Sequence, residues 1–123
     1  KHHSKVIVWD GHSIKRLVPS INSNKFPDLI IGNNEHQSCQ KELTKIAFDS
    51  LKKSDYQVQM NQPFKGGYIT RFHGNPEKGI NSIQLEMSKD LYMSENETIY
   101  DQNKANNIQK LLKSTFQELI DQL

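Results

Sequence analysis

Three segments of the chain carry the hydrophobic pattern of β-strands. The first, over 4–10, is a continuous run of mostly β-branched and apolar residues that Asp10-Gly11 closes. Such a run is typical of a strand buried inside a parallel sheet, so we expect it to lie between two other strands. Segments 56–60 and 80–87 alternate apolar and polar residues, which predicts strands with one apolar and one polar face.

Two further segments repeat apolar residues at helical spacing and predict helices over 38–53 and 103–122. Ser38 is the expected N-cap of the first helix. Residues 11–34 show no clean period, but their scattered apolar side chains predict an ordered, packed loop rather than disorder. The stretch 61–76 is rich in Gly and Pro and predicts a second loop.

The order of these elements is β-loop-α-β-loop-β-α, which implies an α/β fold. We expect three α/β/α layers around a mixed, largely parallel sheet. The length of 123 residues and the mass of 14.2 kDa correspond to one domain, residues 1–123, rather than two.

Charge and composition exclude several classes of function. The net charge is +2, from 16 basic and 14 acidic residues that are well mixed, so nothing favours nucleic acid or an acidic membrane as a partner. The single cysteine, Cys39, excludes a disulfide framework and an all-cysteine metal cluster, and we expect it to be a small packing residue. No apolar run approaches the ~20 residues of a membrane span, so a cytoplasmic protein is expected.

Three polar residues near the ends of predicted strands form a candidate catalytic group. Asp10 and His12 follow the first strand, and Glu86 lies near the end of the strand over 80–87. In open α/β sheets ligands bind beyond the carboxyl ends of strands, where a histidine and a glutamate suit a metal-bound water and its general base. Asp10 is placed to orient the histidine. The alternatives are a hydrogen-bonded structural histidine, a solvated glutamate and an aspartate that caps a turn.

The loop after the second predicted strand is the other candidate site. Gly66-Gly67 permits close approach of the backbone to a ligand or a sharp reversal. Arg71 is one of two arginines in a lysine-rich chain, and its bidentate fork fits a carboxylate. The alternative is a hairpin tip with Tyr68 and Arg71 on the surface.

Four motifs together resemble, in the same order, those of the N-formylglutamate amidohydrolases. They are Asp10-Gly11-His12-Ser13, Phe26-Pro27-Asp28-Leu29 with Gly32, Asn61-Gln62-Pro63-Phe64-Lys65-Gly66-Gly67-Tyr68-Ile69-Thr70-Arg71 with Gly74, and Ile83-Gln84-Leu85-Glu86-Met87. The resemblance covers about residues 5–120, and the glycine-tyrosine loop combined with the Gln-Leu-Glu-Met strand is its most specific part.

The resemblance implies a zinc-dependent hydrolase related to the zinc carboxypeptidases. Its reaction is N-formyl-L-glutamate plus water to formate plus L-glutamate, a step of histidine breakdown. By this likeness His12 is a zinc ligand with Asp10 behind it, and Glu86 is the general base and then the acid. The residues that bind the acidic N-acyl amino acid are then Arg71, Tyr68, Gly67, Asn61 and Lys65.

The family's proteins are about twice as long as this chain, which resembles only their second half. Their first half carries a Pro-His-Ser-Gly-like motif with further metal ligands, and the remaining zinc ligands are expected there. Catalytic zinc normally takes three protein ligands, so we expect the chain alone to be inactive. An incomplete sheet also predicts self-association through its exposed edge or apolar face.

Two other functions stay open at this point. The hydrolase machinery is equally compatible with another N-acyl amino acid or a peptide as substrate. A different class is a non-catalytic binding or scaffold fragment in which His12 and Glu86 are merely inherited.

Overall fold

The structure, a computed structural model that describes residues 4–123, combines β-strands and α-helices. In chain order the elements are β1 (Val6–Ile14), β2 (Leu29–Gly32), α1 (Lys41–Leu51), β3 (Val58–Met60), α2 (Tyr68–His73), β4 (Ile80–Ser88) and α3 (Gln102–Ile120). Short 3-10 turns at Pro76–Lys78 and Lys89–Leu91 flank β4. The predicted single domain also includes residues 1–3, which lie outside the described part.

The four strands form one mixed sheet in the order β1-β4-β2-β3. β4 runs parallel to β1 along the whole length of both strands, from Val6 opposite Ile80 to Ile14 opposite Ser88. β2 is antiparallel to β4 and parallel to β3. Two of the three pairings are therefore parallel, which confirms the predicted mixed, largely parallel sheet.

Helices cover both faces of the sheet. α1 and α3 pack against each other on the face that carries Ile83 and Leu85, and buried aliphatic residues of all these elements form the core. Gln84 lies between those two residues and points to the opposite face, where its side chain accepts a hydrogen bond from the backbone N–H of Gly67. That contact places α2 on the opposite face, so the fold has the three layers expected from the sequence.

The first strand differs from its prediction in both length and position. It continues through Asp10-Gly11 to Ile14, because pairing with β4 supplies hydrogen bonds along all nine residues. Gly11 has no positive φ and lies inside the strand, so this dipeptide does not make a turn. Within residues 4–123, β1 is an edge strand rather than the expected interior strand, and none of its residues is buried.

Two short elements lie inside the segments that were predicted to be loops. β2 occupies part of 11–34, and all four of its residues are buried. α2 occupies part of 61–76. The remaining predicted elements are present, and their ends differ from the prediction by at most three residues.

Ser38 is not the N-cap of α1, contrary to the prediction. The helix begins at Lys41, after Gln40, whose side chain makes no capping bond. Ser38 is buried, and its hydroxyl donates instead to the carbonyl oxygen of Ser82 at 2.8 Å, which ties this loop to β4. A cap of the expected kind occurs at α3, where the Asp101 carboxylate accepts from the Lys104 N–H.

Cys39 is 1% exposed and belongs to the hydrophobic core, as expected of a small packing residue. None of the helices in the part of the chain that the structure describes is long and apolar enough to cross a membrane.

Candidate active site

The parallel register of β1 and β4 gathers four polar side chains on one face of the sheet. Asp10 lies opposite Gln84, and His12 lies opposite Glu86. Since alternate residues of a strand share a face, all four project to the side away from the α1–α3 core. Asp10 and His12 were expected to follow the first strand, whereas they lie within the second half of β1.

Asp10 and His12 are in direct contact. The Asp10 Oδ1 atom lies 2.9 Å from His12 Nε2, and their side chains are 12% and 47% exposed respectively. With a hydrogen on Nε2 directed at the carboxylate, the imidazole keeps a lone pair on Nδ1 for a metal or a proton. This is the arrangement in which a carboxylate fixes the ring and tautomer of a ligand histidine.

Glu86 is half-buried on β4. Burial raises the pKa of its carboxyl group; His12 opposes this rise when its imidazole is protonated, and the negative charge on Asp10 adds to the rise. A carboxylate with a raised pKa is a better proton acceptor than an exposed one, and it returns the proton at a pH nearer neutrality. Glu86 therefore has the chemistry that a general base requires.

Gln84 connects the glycine loop to the same face. It is 6% exposed, and its Oε1 atom accepts a hydrogen bond of 2.7 Å from the Gly67 N–H, at the start of α2. A Cβ atom at Gly67 would lie 3.3 Å from that oxygen, so the absence of a side chain eases this contact. The loop is thus attached to β4 two residues from Glu86.

Arg71 and Tyr68 lie on α2, which contacts both β4 and β1. One guanidinium nitrogen of Arg71, Nη1, donates to the carbonyl oxygen of Gly66 at 3.0 Å, while the side chain remains exposed. Tyr68 is 66% exposed and stacks on Phe72 with ring centroids 5.2 Å apart. The helix therefore shares the face of His12 and Glu86. The described residues show no hydrogen bond between Arg71 or Tyr68 and that pair.

Asn61 and Lys65 are engaged within the loop itself. The Asn61 amide donates to Asn33 Oδ1 at 2.8 Å and accepts from the Asn33 N–H at 3.1 Å. Lys65 pairs with Glu35, with 2.9 Å between Nζ and Oε1. These bonds hold the loop to the end of β2, where residues 34–36 all have positive φ. Roles for Asn61 and Lys65 in binding substrate stay predictions.

Gly32 allows the glycine loop to cross β2 at close range. A Cβ atom there would lie 2.5 Å from Gly66 N and 2.6 Å from the Lys65 carbonyl carbon, which real structures do not tolerate. Since Gly32 pairs with Gln84 on the same face, this crossing brings the loop down onto the candidate site.

Three residues that make defining side-chain contacts were not among the expected site residues: Asn33, Gln84 and Arg16. Asn33 is fully buried and bonds to Asn61, and Gln84 was assigned only to a polar face. Arg16 makes the carboxylate fork that was expected of Arg71: its Nε and Nη2 atoms donate to Asp90 at 2.9 and 2.7 Å, and Nη2 also donates to Asp28. The argument that an arginine in a lysine-rich chain is suited to bind a carboxylate applies equally to Arg16, and it could have identified this residue.

The side chains of the candidate site supply some, but not all, of the ligands that a zinc site needs. His12, held by Asp10, has the chemistry of one ligand. Residues 4–123 contain no group of three histidine, cysteine, aspartate or glutamate side chains placed to hold a metal. A catalytic zinc takes three protein ligands, so the described residues do not complete one.

Comparison with known proteins identifies the family. The sequence profile of N-formylglutamate amidohydrolase matches residues 1–93. The chain belongs to the N-formylglutamate amidohydrolase family. The four motifs quoted from the sequence had indicated the same family.

Two relatives support the assignment, and two solved structures share the fold. The chain is 34% identical over 116 residues to an N-formylglutamate deformylase of Pseudomonas putida, a match that covers 93% of the chain and 43% of the relative. It is 36% identical over 90 residues to the N-formylglutamate deformylase of Pseudomonas aeruginosa, covering 72% of the chain and 34% of that relative.

The crystal structure of N-formylglutamate amidohydrolase from Ralstonia eutropha has the same fold, with a TM-score of 0.80 at 23% identity, covering 94% of the chain and 42% of that protein. A gene product of Agrobacterium tumefaciens has a TM-score of 0.64 at 19% identity, covering 95% and 43%. The chain therefore spans less than half the length of the proteins that it matches.

Proposed function

We propose that the chain carries the catalytic face of an amide hydrolase that converts N-formyl-L-glutamate and water into formate and L-glutamate. The observation that carries this proposal is the pairing of His12 with Glu86 across β1 and β4, with Asp10 holding the imidazole. The family and the names of the two Pseudomonas relatives support the choice of substrate.

Glu86 serves as the proton carrier in this proposal. Its carboxylate takes a proton from the attacking water as the new C–O bond forms at the formyl carbon. The C–N bond then breaks, and Glu86 returns the proton to the leaving nitrogen, so that formate and the amino acid separate. General acid–base catalysis of this kind contributes typically ~10²–10⁴-fold to the rate.

His12 is the one zinc ligand that we assign within the described residues. Its Nδ1 atom is available because Asp10 engages Nε2. Bound zinc would polarise the formyl oxygen and lower the pKa of a water molecule. The further ligands that a catalytic zinc needs belong, in this proposal, to the part of the family's fold outside residues 1–123.

Arg71 binds a substrate carboxylate. Only one of its guanidinium nitrogens bonds to Gly66, and the side chain is exposed on the face of the sheet that carries the candidate base. A planar guanidinium suits a carboxylate better than an ammonium group does. Gln84 and Gly67 fix the start of α2 and thereby the position of Arg71 and Tyr68.

The test measures formate release from N-formyl-L-glutamate with added zinc. Two preparations are assayed. One is the 123-residue chain alone, and the other is the same chain co-expressed with the part of the Pseudomonas putida relative that lies outside the aligned region. We expect activity in the combined preparation and a loss of at least ~100-fold in Glu86→Gln. Glu77→Gln, at an exposed position in the 3-10 turn before β4, is the matched control. Equal turnover in Glu86→Gln and Glu77→Gln would show that Glu86 is not the base.

A further inference from the structure

The side chain of Gln84 has a hydrogen-bonding half that the described fold leaves unused. Gln84 is only 6% exposed, and its Oε1 atom accepts from the Gly67 N–H at 2.7 Å. Because a backbone N–H can only donate, this contact fixes the amide with its oxygen toward the loop and its NH₂ group on the other side. Within residues 4–123, the bond to Gly67 is the one that this side chain makes. Buried polar groups normally have partners, so the two donors on Nε2 lack an acceptor that the site should receive.

The unused NH₂ group belongs to the face of the candidate site. Gln84 and Glu86 are alternate residues of β4 and project to the same side of the sheet. Their Cα atoms are roughly 7 Å apart, because each residue advances a strand by about 3.3 Å. Asp10 lies opposite Gln84 on β1, but the Asp10 carboxylate contacts His12. Gln84 is therefore a buried donor beside the candidate base, at a fixed distance along one strand.

A single peptide unit links Gln84 to Arg71. The carbonyl oxygen of Gly66 accepts from Arg71 Nη1 at 3.0 Å, and the N–H of Gly67, in the same peptide unit, donates to Gln84. The C=O and N–H of a trans peptide point in opposite directions, so the guanidinium and the amide lie on opposite sides of this unit. They do not converge on one point. Two separated donor groups of this kind suit a ligand that has two carboxylates.

We propose that Gln84 is a substrate-binding residue whose Nε2 atom donates to the α-carboxylate of an N-formyl amino acid, while Arg71 binds the side-chain carboxylate. This inference rests on the proposed function, in which Glu86 marks the position of the formyl carbon. It adds the group that recognises the substrate as an α-amino acid derivative.

The dimensions of the substrate support this division between the two residues. Three bonds lead from the formyl carbon to the α-carboxylate carbon, and a C–O bond and a hydrogen bond of about 2.9 Å follow, which puts the donor roughly 7 Å from the formyl carbon. The spacing of Gln84 and Glu86 along β4 has the same size. The side-chain carboxylate is two bonds further away, within reach of the longer, exposed side chain of Arg71.

The test compares the binding of N-formyl-L-glutamate with that of its two amides. N-formyl-L-isoglutamine has an amide in place of the α-carboxylate, and N-formyl-L-glutamine has one in place of the side-chain carboxylate. The 123-residue chain is co-expressed with the relative's segment, which is the part of the Pseudomonas putida protein outside the aligned region, and zinc is added. All preparations for binding carry Glu86→Gln, so that calorimetric titration measures Kd without turnover.

Gln84→Glu separates the two halves of the side chain. It keeps an oxygen for the Gly67 N–H, but it replaces the NH₂ group with a charged oxygen that repels a carboxylate and accepts from an amide. We expect the preference for N-formyl-L-glutamate over the α-amide to fall at least ~100-fold, because like charges placed together in a binding site weaken association strongly. The preference for N-formyl-L-glutamate over N-formyl-L-glutamine should stay the same, since both retain the α-carboxylate.

Gln109→Glu is the matched control. It makes the same chemical change at an exposed position of α3, on the other side of the sheet, and should leave all three Kd values unchanged. Circular dichroism and zinc content verify that each variant is folded and loaded.

Equal weakening of all three compounds by Gln84→Glu would overturn the inference, because it would indicate an effect through Asp10 or the glycine loop. A changed preference for the side-chain amide instead of the α-amide would overturn it as well. If none of the three compounds bound to the folded preparation, both proposals would fail. Formate release is measured separately with Glu86 intact: the expected change in preference without formate release would count against the proposed function alone.

Discussion

His12 and Glu86 lie directly opposite each other on two parallel strands, although they are far apart in the sequence. Backbone hydrogen bonds of the β1–β4 ladder, rather than loops, therefore set the distance between them. A catalytic pair built on strands is held more rigidly than one built on loops. Asp10 adds a third fixed point, because it lies on the same strand and contacts the imidazole.

Asp10→Asn should weaken zinc binding by the complex with the relative's segment about 10–100-fold, because the histidine loses the carboxylate that fixes its tautomer. Competition against a chromogenic chelator measures the affinity. Asp49→Asn changes an exposed carboxylate on α1 and serves as the control. Equal zinc affinity in both variants would contradict the role of Asp10.

Arg71→Lys should raise the KM for N-formyl-L-glutamate at least tenfold and change kcat less, since a lysine loses the planar fork that matches a carboxylate. The same substitution should matter less for N-formyl-L-glutamine, which lacks the side-chain carboxylate. Steady-state kinetics with both substrates and with N-acetyl-L-glutamate also tests the alternative of a different N-acyl amino acid. If Arg71→Lys raised the KM similarly for both formyl substrates, Arg71 would not bind the side-chain carboxylate of N-formyl-L-glutamate.

Gly32→Ala should destabilise the chain by about 1–3 kcal/mol, because the new methyl group would overlap the backbone of the glycine loop. Gly11→Ala is the matched control within the same sheet, where the added atom meets nothing within 4 Å. Urea unfolding followed by circular dichroism measures both changes. A free energy of unfolding for Gly32→Ala within 0.5 kcal/mol of the wild-type value would show that the loop moves away at little cost.

Asn61 combines a positive φ of 57° with hydrogen bonds to Asn33. Asn61→Ala should lower the free energy of unfolding by about 1–3 kcal/mol, because the buried Asn33 loses both of its hydrogen bonds to Asn61. Asn61→Gly should cost less, since glycine adopts this backbone conformation without strain while losing the same bonds. The difference between the two variants in urea unfolding separates the strain from the hydrogen bonds, and a larger loss in the glycine variant would contradict this account.

Cys39 should react slowly with a thiol reagent such as DTNB at pH 8. Burial raises the pKa of its thiol, with the nearby Glu42 adding to the rise and bonds to Thr44 opposing it, so the reactive thiolate is scarce and inaccessible. The rate should increase by orders of magnitude in denaturing urea. A native rate equal to that of free cysteine would show that the loop before α1 opens readily.

Much of the sheet and the candidate pair was predictable from sequence because the signals are local. The alternation over 80–87 correctly assigned Ile83 and Leu85 to the core and Glu86 to the opposite face. β2 was missed because a four-residue strand buried on both faces has no period to detect. The edge position of β1 depends on which strands pair with it, and no local pattern contains that information.

The polar contacts that hold the site together were less predictable, because they join residues that are distant in the sequence. Arg16 meets Asp90, and Gln84 meets Gly67, through contacts that only the folded chain creates. Ser38 illustrates the opposite error: its local context is typical of a helix N-cap, but a buried bond to the Ser82 carbonyl uses its hydroxyl.

The parallel pairing of β1 with β4 also has a consequence for biosynthesis. In the described chain β1 is the first strand to leave the ribosome and β4 the last, and only α3 follows. β1 therefore waits for its inner partner, β4, while β2, α1 and β3 are made. Long-range pairings of this kind slow folding and expose nascent strands to association. Until residue 88 has been synthesised, the edge of β1 that β4 covers in the folded chain stays open to such association.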